Sequence, residues 1–305
     1  LKLYGRNSAI MYYPAKDFIF YSADVHGQAI VKERLKVIKK LIEKEPVTIV
    51  TTIDAGMDYC LPFEKYKKHS ISVREGDQVD LEELRSRFVY IGYENVGQVE
   101  REGEFSVRGG IIDIFPLTED CPYRIELWGD EVDNIRRIDV ESQRSVETVE
   151  EVGIYPAAEV FLEEDQILEG MHRMGQELKT CVRKFKEEGK VEEAARLTQN
   201  VESFRETYQI YHGLVNLESF VSYFTSDVHS FFDYLAEENI CVFMDEPNRC
   251  IEKGEAVEYE FRESMVSRLE KGYILPKQME VIFSLPVVLK KLSSLPLVLL
   301  TTLDM

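Results

Sequence analysis

The stretch from Glu104 to Arg144, EFSVRGGIIDIFPLTEDCPYRIELWGDEVDNIRRIDVESQR, predicts a small antiparallel sheet. Apolar and polar residues alternate in its strand-like runs, which is the period of a half-buried strand. Gly109-Gly110 interrupts the first run, and we interpret this pair as a backbone bulge rather than a phosphate-binding turn. Gly129-Asp130 predicts a hairpin turn, and a slip of the pattern near Asn134 predicts a bulge.

The run YRIELW, residues 123–128, places Tyr, Ile and Leu on one face of a strand and Arg124, Glu126 and Trp128 on the other. A solvated sheet face usually carries Lys, Glu and Thr, whereas Trp and Arg are enriched at protein–protein hot spots. We therefore interpret the outward face as a docking surface. In the alternative interpretation, Trp128 packs under a neighbouring loop and the arginines pair with nearby carboxylates.

The segments FSVRGGIIDIFP and PYRIELWGDEVDNIRRIDVESQRS resemble the second domain of the bacterial transcription-repair coupling factors, the Mfd family. They are more distantly similar to the nucleotide-excision-repair helicase UvrB. In both families this domain is the docking surface for UvrA. The resemblance implies that Arg108, Arg124 and Trp128 contact UvrA. Many family members have Phe at the last position, so Trp128 is a conservative departure.

The charge of the chain argues against direct nucleic-acid binding by this piece. The formal net charge is −19. Residues 66–156 contain 11 Lys or Arg and 21 Asp or Glu, a net charge of −10. A surface of this sign repels phosphate backbones. The partner that the resemblance implies for the fragment itself is UvrA, not nucleic acid.

Cysteine, histidine and hydropathy patterns predict a reduced, cytoplasmic protein without a metal or cofactor. The five cysteines are far apart, and the five histidines (26, 69, 172, 212 and 229) form no ligand spacing. The apolar C-terminal stretch is interrupted by prolines and lysines, so no membrane span is expected. The sequence begins at LKLYGRN without Met and ends at TTLDM, which we interpret as part of a longer protein.

The sequence predicts three segments in an α/β chain. Residues 1–57 predict a strand at 9–13, a helix at 28–43 and a buried strand at 47–53, and they resemble the later part of a RecA-like (P-loop NTPase-type) domain without its P-loop. Residues 58–156 predict an inserted, small α+β, mostly antiparallel domain, with a strand at 66–73 and a helix at 81–88. Residues 157–305 predict the rest of the incomplete RecA-like domain, including a long helical hairpin at 163–213.

In that hairpin, two runs follow the spacing of an apolar seam, and the second run begins at Val191. Beyond it, we expect a helix at 231–235, an apolar strand at 240–244 and a helix at 256–270. The tail predicts two strands, VIFSL (281–285) and LVLLTTL (297–303). If the early and late strands share a sheet, the first domain is discontinuous and the second is inserted into it.

The segment ICVFMDEP, residues 240–247, is the nearest approach to a catalytic motif. An apolar strand that ends in Asp245-Glu246 is how RecA-like NTPases hold Mg²⁺. No G-x-x-x-x-G-K-[ST] segment accompanies it, so we interpret this pair as a degenerate Walker-B-like strand end without ATPase activity. The resemblance implies that the parent protein is an ATP-dependent DNA translocase whose motor domains lie elsewhere.

Three functional hypotheses remain open from the sequence. The first is a module that recruits UvrA to stalled RNA polymerase in nucleotide excision repair. The second is a fragment of a UvrB-type ATP-dependent helicase. The third, compatible with the first, is a scaffold or autoinhibitory domain that contacts the C-terminal region of its own parent, since the resemblance implies that this region masks the UvrA surface. The parent itself is expected to bind RNA polymerase and DNA.

Overall fold

Buried apolar residues form two separate clusters, and these organise the chain. The first cluster draws on residues 13–66, on residue 117 and on residues 160–295, whereas the second lies within residues 71–154. The computed structural model describes residues 9–16, 25–211, 217–236 and 239–302, and it leaves out the side chains of residues 25–27, 210 and 211. Among these residues, no helix is both long and apolar enough to cross a bilayer.

The first cluster begins with strand β1 (Ala9–Tyr13), helix α1 (Val25–Ile42) and strand β2 (Val47–Thr51), and β1 pairs with β2 in parallel. The apolar stripe of α1, which includes Leu35, Ile38 and Leu41, faces this cluster. The predicted elements at 9–13 and 28–43 are therefore confirmed. The strand at 47–53 is shorter than predicted and only half-buried, because β1 is its one described partner.

The segment that leads into the second cluster, residues 66–73, differs from the prediction. Residues 66–73 do not form one strand, because helix α2 (Phe63–His69) precedes strand β3 (Ile71–Arg74). Pro62 occupies the N-cap of α2, and the buried ring of Tyr66 packs against Phe161 in the first cluster. The alternating pattern belongs to β3 alone, where Ile71 and Val73 are buried.

The second cluster is covered by helix α3 (Leu81–Tyr90) and a six-stranded sheet. The strands, in sheet order, are β4 (Glu94–Asn95), β5 (Glu104–Arg108), β6 (Ile111–Ile114), β7 (Tyr123–Trp128), β8 (Glu131–Ile138) and β9 (Ser145–Val149). All neighbours are antiparallel except β4 and β5. Strand β10 (Glu151–Ile154) returns to pair with β3. The sequence thus predicted the mostly antiparallel α+β character of this region.

The predicted helical hairpin is present as helices α4 (Glu164–Glu187) and α5 (Val191–Tyr211), with Gly189 at φ +76° between them. Residues 212–213 of the predicted range lie outside the described residues. Val191 is not part of the apolar seam, since it is 63% exposed at the start of α5. A short helix, α6 (Val221–Phe224), packs on α4.

The last part of the chain contains strand β11 (Val242–Asp245), helix α7 (Pro247–Glu270), helix α8 (Leu285–Ser293) and strand β12 (Leu297–Leu300). A 3₁₀ helix at Phe231–Leu235 confirms the helix predicted there. The strand predicted at 281–285 is wrong, because Ile282 makes one isolated bridge with Asp58 and Pro286 lies in the first turn of α8.

The early and late strands form two sheets rather than one among the described residues. Strand β1 pairs with β2, and β11 pairs in parallel with β12. Both pairs nevertheless contribute to the first apolar cluster, through residues such as Tyr13, Ile49 and Val242. The described fold is therefore a mixed α/β chain with several small sheets.

A buried ionic cluster joins the two places where the chain passes between the apolar clusters. Arg34 of α1 is fully buried and donates from Nη1 to Asp58 Oδ2 (2.7 Å) and from Nε to Glu159 Oε1 (2.7 Å). Lys16 Nζ lies 3.1 Å from Glu159 Oε2 and 3.3 Å from Glu218 Oε2. Asp58 precedes the second cluster and Glu159 follows it, so one guanidinium ties both crossings to α1.

Burial and pairing shift the pKa values of this cluster in opposite directions. Burial raises the pKa of Asp58 to about 7, against the lowering effect of Arg34 and Lys16. Burial also acts to raise the pKa of Glu159, but Arg34 and Lys16 hold that pKa below its ordinary value. The two carboxyl groups that Arg34 contacts therefore have pKa values shifted in opposite directions.

Surface contacts between α1 and the second cluster support the same arrangement. Lys32 Nζ donates to Glu102 Oε1 (2.5 Å), and Lys39 pairs with Glu119. The Tyr155 hydroxyl donates to Glu43 Oε1 at 3.0 Å. The six-stranded sheet is thus anchored through its loops, and these contacts leave the outer face around Trp128 uncovered.

Candidate protein-docking surface

The register of the sheet brings one row of side chains together on its outer face. Ser106 on β5 pairs with Asp113 on β6, Asp113 pairs with Arg124 on β7, and Arg124 pairs with Arg136 on β8. Directly paired residues of an antiparallel sheet project to the same side. The opposite face carries the buried residues Ile112 and Ile125. The predicted inward and outward alternation of residues 123–128 is therefore present.

Arg108 and Arg124 meet at one carboxylate. Asp113 Oδ1 accepts from Arg124 Nε (2.6 Å), and Asp113 Oδ2 accepts from Arg124 Nη2 (2.8 Å) and from Arg108 Nη2 (2.7 Å). The side chain of Asp113 is fully buried, whereas those of Arg108 and Arg124 are 51% and 19% exposed. The hydrogen bond to Asp113 raises the pKa of Arg124, so the guanidinium is a permanent cation.

Trp128 projects from the end of β7 beside this cluster. It pairs with Glu131 across a hairpin turn in which Gly129 has φ +64°. The pairing of β7 with β8 slips between Glu126 and Leu127, which confirms the bulge predicted near Asn134. Trp128 is 84% exposed. The alternative interpretation is therefore wrong for the indole, which no loop covers among the described residues, and right for the two arginines, which do pair with a local carboxylate.

The turn that carries Arg108 also differs from the prediction. Gly109-Gly110 is not a bulge but the two-residue turn between β5 and β6, with Gly109 at φ +60°. A Cβ atom on Gly110 would lie 3.0 Å from the carbonyl oxygen of Leu127. Glycine at this position lets β6 approach β7 closely, and the amide of Leu127 donates to the carbonyl of Gly110 at 2.7 Å.

The sequence interpretation missed two members of the outer face. Arg136 Nη2 pairs with Glu126 Oε2 at 3.1 Å, next to the row formed by Asp113 and Arg124. Ile111 is 37% exposed and pairs with Glu126 across β6 and β7. Arg136 can be identified from the sequence by continuing the two-residue alternation through β8. This requires that Asp133 be treated as the extra residue of the bulge. Ile111 follows a glycine turn, where the period alone does not fix the face.

The outer face has a different charge from the domain around it. On this face Arg108, Arg124 and Arg136 balance the carboxylates of Asp113, Glu126 and Glu131, the last of which pairs with Trp128. Residues 66–156 as a whole carry a net charge of −10. The cationic side chains also lie beside an exposed indole and a partly exposed isoleucine. This combination of arginine and aromatic surface is typical of a protein-binding hot spot.

At the acidic strand end Asp245-Glu246, the side chain of Glu246 forms hydrogen bonds to another part of the chain. Glu246 has φ +49° and occupies the N-cap of α7. Its Oε1 accepts from the backbone amide of Thr302 at 2.8 Å and from the Thr302 hydroxyl, and these bonds lower the pKa of Glu246. Among the described residues, no group of three or more His, Cys, Asp or Glu is arranged to hold a metal ion. The side chain of Glu246 thus joins β11 to the end of β12.

Comparison with known proteins places this surface in a recognised domain. Residues 71–160 match the UvrB interaction domain family. A transcription-repair-coupling factor from Bacillus subtilis strain 168 is 32% identical over 267 residues, covering 88% of this chain and 22% of the relative. Those from Staphylococcus haemolyticus JCSC1435 and Staphylococcus aureus MRSA252 are 32% and 29% identical, over 88% and 85% of this chain. The chain spans about a fifth of the length of each of these relatives, 22% in each case.

Proposed function

Because this chain is homologous over 88% of its length to transcription-repair-coupling factors and contains a UvrB interaction domain, we propose that it is the partner-docking region of such a factor. In this proposal it binds UvrA and thereby recruits UvrA to stalled RNA polymerase in nucleotide excision repair. The observation that carries the proposal is Trp128, which is 84% exposed beside two arginines on the outer face of an acidic domain.

The chemistry of this face supports protein docking. In the proposal, Arg108 and Arg124 present planar guanidinium groups to carboxylates of UvrA, since such groups bind carboxylates in a two-point geometry. Trp128 fills an apolar pocket on the partner. An exposed indole gains apolar burial only when a partner covers it, so most of its binding free energy is realised in the complex.

The remainder of the chain supports a role in positioning that surface. We propose that residues 1–57 and 157–305 derive from one discontinuous RecA-like domain and that residues 58–156 are inserted into it. The shared apolar cluster, in which the ring of Tyr13 stacks on Phe231, supports this, as does the ion pair of Arg34 with Glu159. We also propose that this surface contacts the C-terminal region of a longer parent protein, which masks it.

We propose that this fragment does not hydrolyse ATP. Its sequence contains no G-x-x-x-x-G-K-[ST] segment to hold the phosphates, and Glu246 is bonded to Thr302. The test is to add ATP and Mg²⁺ to the purified chain and measure phosphate release and the melting temperature. ATP turnover, or a rise in melting temperature that ATP alone produces, would favour a UvrB-type helicase fragment instead.

The decisive experiment is binding of purified UvrA to this chain. We expect the wild-type chain to bind UvrA and the variants Arg108→Ala, Arg124→Ala and Trp128→Ala to bind more weakly, with circular dichroism spectra that match the wild type. Arg137→Ala is the matched control, because Arg137 lies next to Arg136 on β8 but projects to the other face, near Tyr123. Absence of wild-type binding would refute the proposed function.

A further inference from the structure

Asp113 is fully buried, whereas the charged residues around it, Arg108, Arg124 and Arg136, are partly exposed. Its side chain has no exposed area, and it lies on the outer face of the sheet between β5 and β7. Both carboxylate oxygens are occupied by guanidinium nitrogen atoms, as the distances of 2.6, 2.7 and 2.8 Å show. A partner protein that covers Arg108 and Trp128 therefore cannot contact Asp113 directly.

The carboxylate of Asp113 offsets the repulsion between the two adjacent arginines and holds them in place. Two guanidinium groups at one site repel each other, and a long arginine side chain loses conformational freedom when a partner fixes it. Asp113 Oδ2 accepts from both groups and so holds them next to each other before any partner arrives. One negative charge between two positive charges leaves a net charge of +1 at the cluster.

The guanidinium groups of Arg108 and Arg124 both retain N–H donors that can bind a partner protein. Each carries five N–H donors. Asp113 receives two from Arg124 and one from Arg108, and the hydrogen bonds described for these two groups go to Asp113 alone among the described residues. The unused donors of Arg108 lie in the more exposed half of the cluster, since its side chain is 51% exposed.

We propose that Asp113 is a positioning residue for docking: it fixes Arg108 and Arg124 as one preorganised pair that receives an acidic side chain of the partner. The inference rests on the proposed function, because the partner is the UvrA that the same surface binds. Asp113 acts through the arginines and makes no contact of its own. Preorganisation strengthens binding because the ordering of both side chains is completed during folding.

The test is Asp113→Asn, which keeps the shape of the side chain and removes its charge. We expect binding to UvrA to weaken by roughly tenfold, the order expected when two long side chains must be ordered on binding instead of beforehand. In the background of Arg108→Ala with Arg124→Ala, we expect Asp113→Asn to have no further effect on affinity. An equal loss in both backgrounds would overturn the inference, because it would show that Asp113 does not act through the arginines.

Ser106→Ala is the matched control. Ser106 is paired with Asp113 in the same row and is equally buried, but its hydroxyl donates to the carbonyl of Gly97 at 3.4 Å rather than to an arginine. We expect this variant to bind UvrA like the wild type. If Ser106→Ala and Asp113→Asn weaken binding equally, the effect belongs to the sheet as a whole and the inference is wrong.

A measurement on the wild-type chain alone keeps the inference testable if Asp113→Asn does not fold. We expect the Nε–H proton of Arg124 to give a resolved NMR signal that exchanges slowly with water, because that proton is bonded to a buried carboxylate. Exchange as fast as that of a free arginine would overturn the inference. Failure of wild-type binding would instead refute the docking function, whatever the NMR signal shows.

Discussion

Arg124 and Trp128 project from the same face of one strand, four residues apart, yet they differ sharply in exposure. The side chain of Arg124 is 19% exposed and is held by Asp113, whereas Trp128 is 84% exposed. The cation is thus fixed inside the folded chain, and the indole has most of its area left to bury. Substitutions at the two positions should therefore affect stability and binding to different extents.

Trp128→Ala should weaken UvrA binding without changing stability. Removing a side chain that is 84% exposed leaves no cavity, so the free energy of unfolding should change by less than about 0.5 kcal/mol. The affinity for UvrA should fall by about 2–4 kcal/mol, the size of a hot-spot truncation. Titration calorimetry and urea denaturation measure the two quantities separately.

Val146→Ala provides the control for this prediction. Val146 is also an exposed apolar residue of the same sheet, at 70% exposure, but it lies on β9, away from the arginine pair. Its truncation should leave both affinity and stability unchanged. A loss of affinity as large as that of Trp128→Ala would mean that the binding surface is general rather than centred on the indole.

Arg34→Met should strongly destabilise the chain. The substitution leaves Asp58 and Glu159 buried without the guanidinium that bridges them, which typically costs about 3–5 kcal/mol. Urea denaturation followed by circular dichroism measures the change. Arg137→Met is the control, because its ion pair with Glu147 is 44% exposed at the arginine and should contribute less than about 1 kcal/mol. Equal urea midpoints for Arg34→Met and Arg137→Met would contradict the structural role of the ionic cluster around Arg34.

The stability of the chain should depend on pH through Asp58. Its pKa is about 7 when folded, against an ordinary value of 3.8, so between these values the folded chain keeps a proton that the unfolded chain has lost. This contribution is fully present below pH 3.8 and is lost as the pH rises through 7. Relative to Asp58→Asn, the wild type should therefore lose stability between pH 5 and 7, on the order of 1 kcal/mol per pH unit.

The comparison with Asp58→Asn isolates this effect. The lowered pKa of Glu159 adds stability that is lost only as the pH falls below about 4.5, outside the chosen window. Other titrating groups, including His69, are the same in both proteins and cancel in the difference. A difference in unfolding free energy that stays constant from pH 5 to 7 would show that Asp58 does not carry the proton.

Two glycines of α4 should respond oppositely to alanine. A Cβ atom on Gly170 would lie 1.9 Å from Cδ1 of Phe224, so α4 could no longer pack on α6, and Gly170→Ala should cost about 1–3 kcal/mol. At Gly175 the nearest atoms are guanidinium nitrogens of Arg205 at 3.9 Å. Gly175→Ala should therefore stabilise the helix by up to about 1 kcal/mol. Thermal denaturation gives the melting temperature of each variant relative to the wild type. If both melting temperatures shift in the same direction, the result would contradict this packing.

Local patterns identified part of the proposed docking surface but not its internal geometry. The two-residue period placed Arg124 and Trp128 on one face. Arg108 was identified by the family resemblance alone, and the glycine turn that follows it was wrongly predicted as a bulge. Asp113 was not distinguished, because its role depends on which strands pair and in which register. The same limit explains Arg136, which follows a bulge that shifts the pattern.

The errors elsewhere have related causes. The segment 66–73 was predicted as one strand, but only Ile71 and Val73 alternate, and Tyr66 belongs to the first cluster and packs on Phe161. The tail run 281–285 is mostly apolar and begins with the β-branched Val281 and Ile282, yet Pro286 in the first turn of α8 directs the following residues into a helix. In both places a distant packing partner or a helix start overrode the local preference.

The sequence by itself determined most of the helices and strands, the alternation of the central sheet and the face of β7 that carries Trp128, because these depend on residues close together in the chain. That the indole stays uncovered was decided by the tertiary structure. Only the tertiary structure decided that Arg108 and Arg124 share Asp113 and that Arg34 joins Asp58 to Glu159. Those contacts connect residues up to 125 positions apart, and they form only when strand register and the packing of α1 bring the groups within hydrogen-bonding distance.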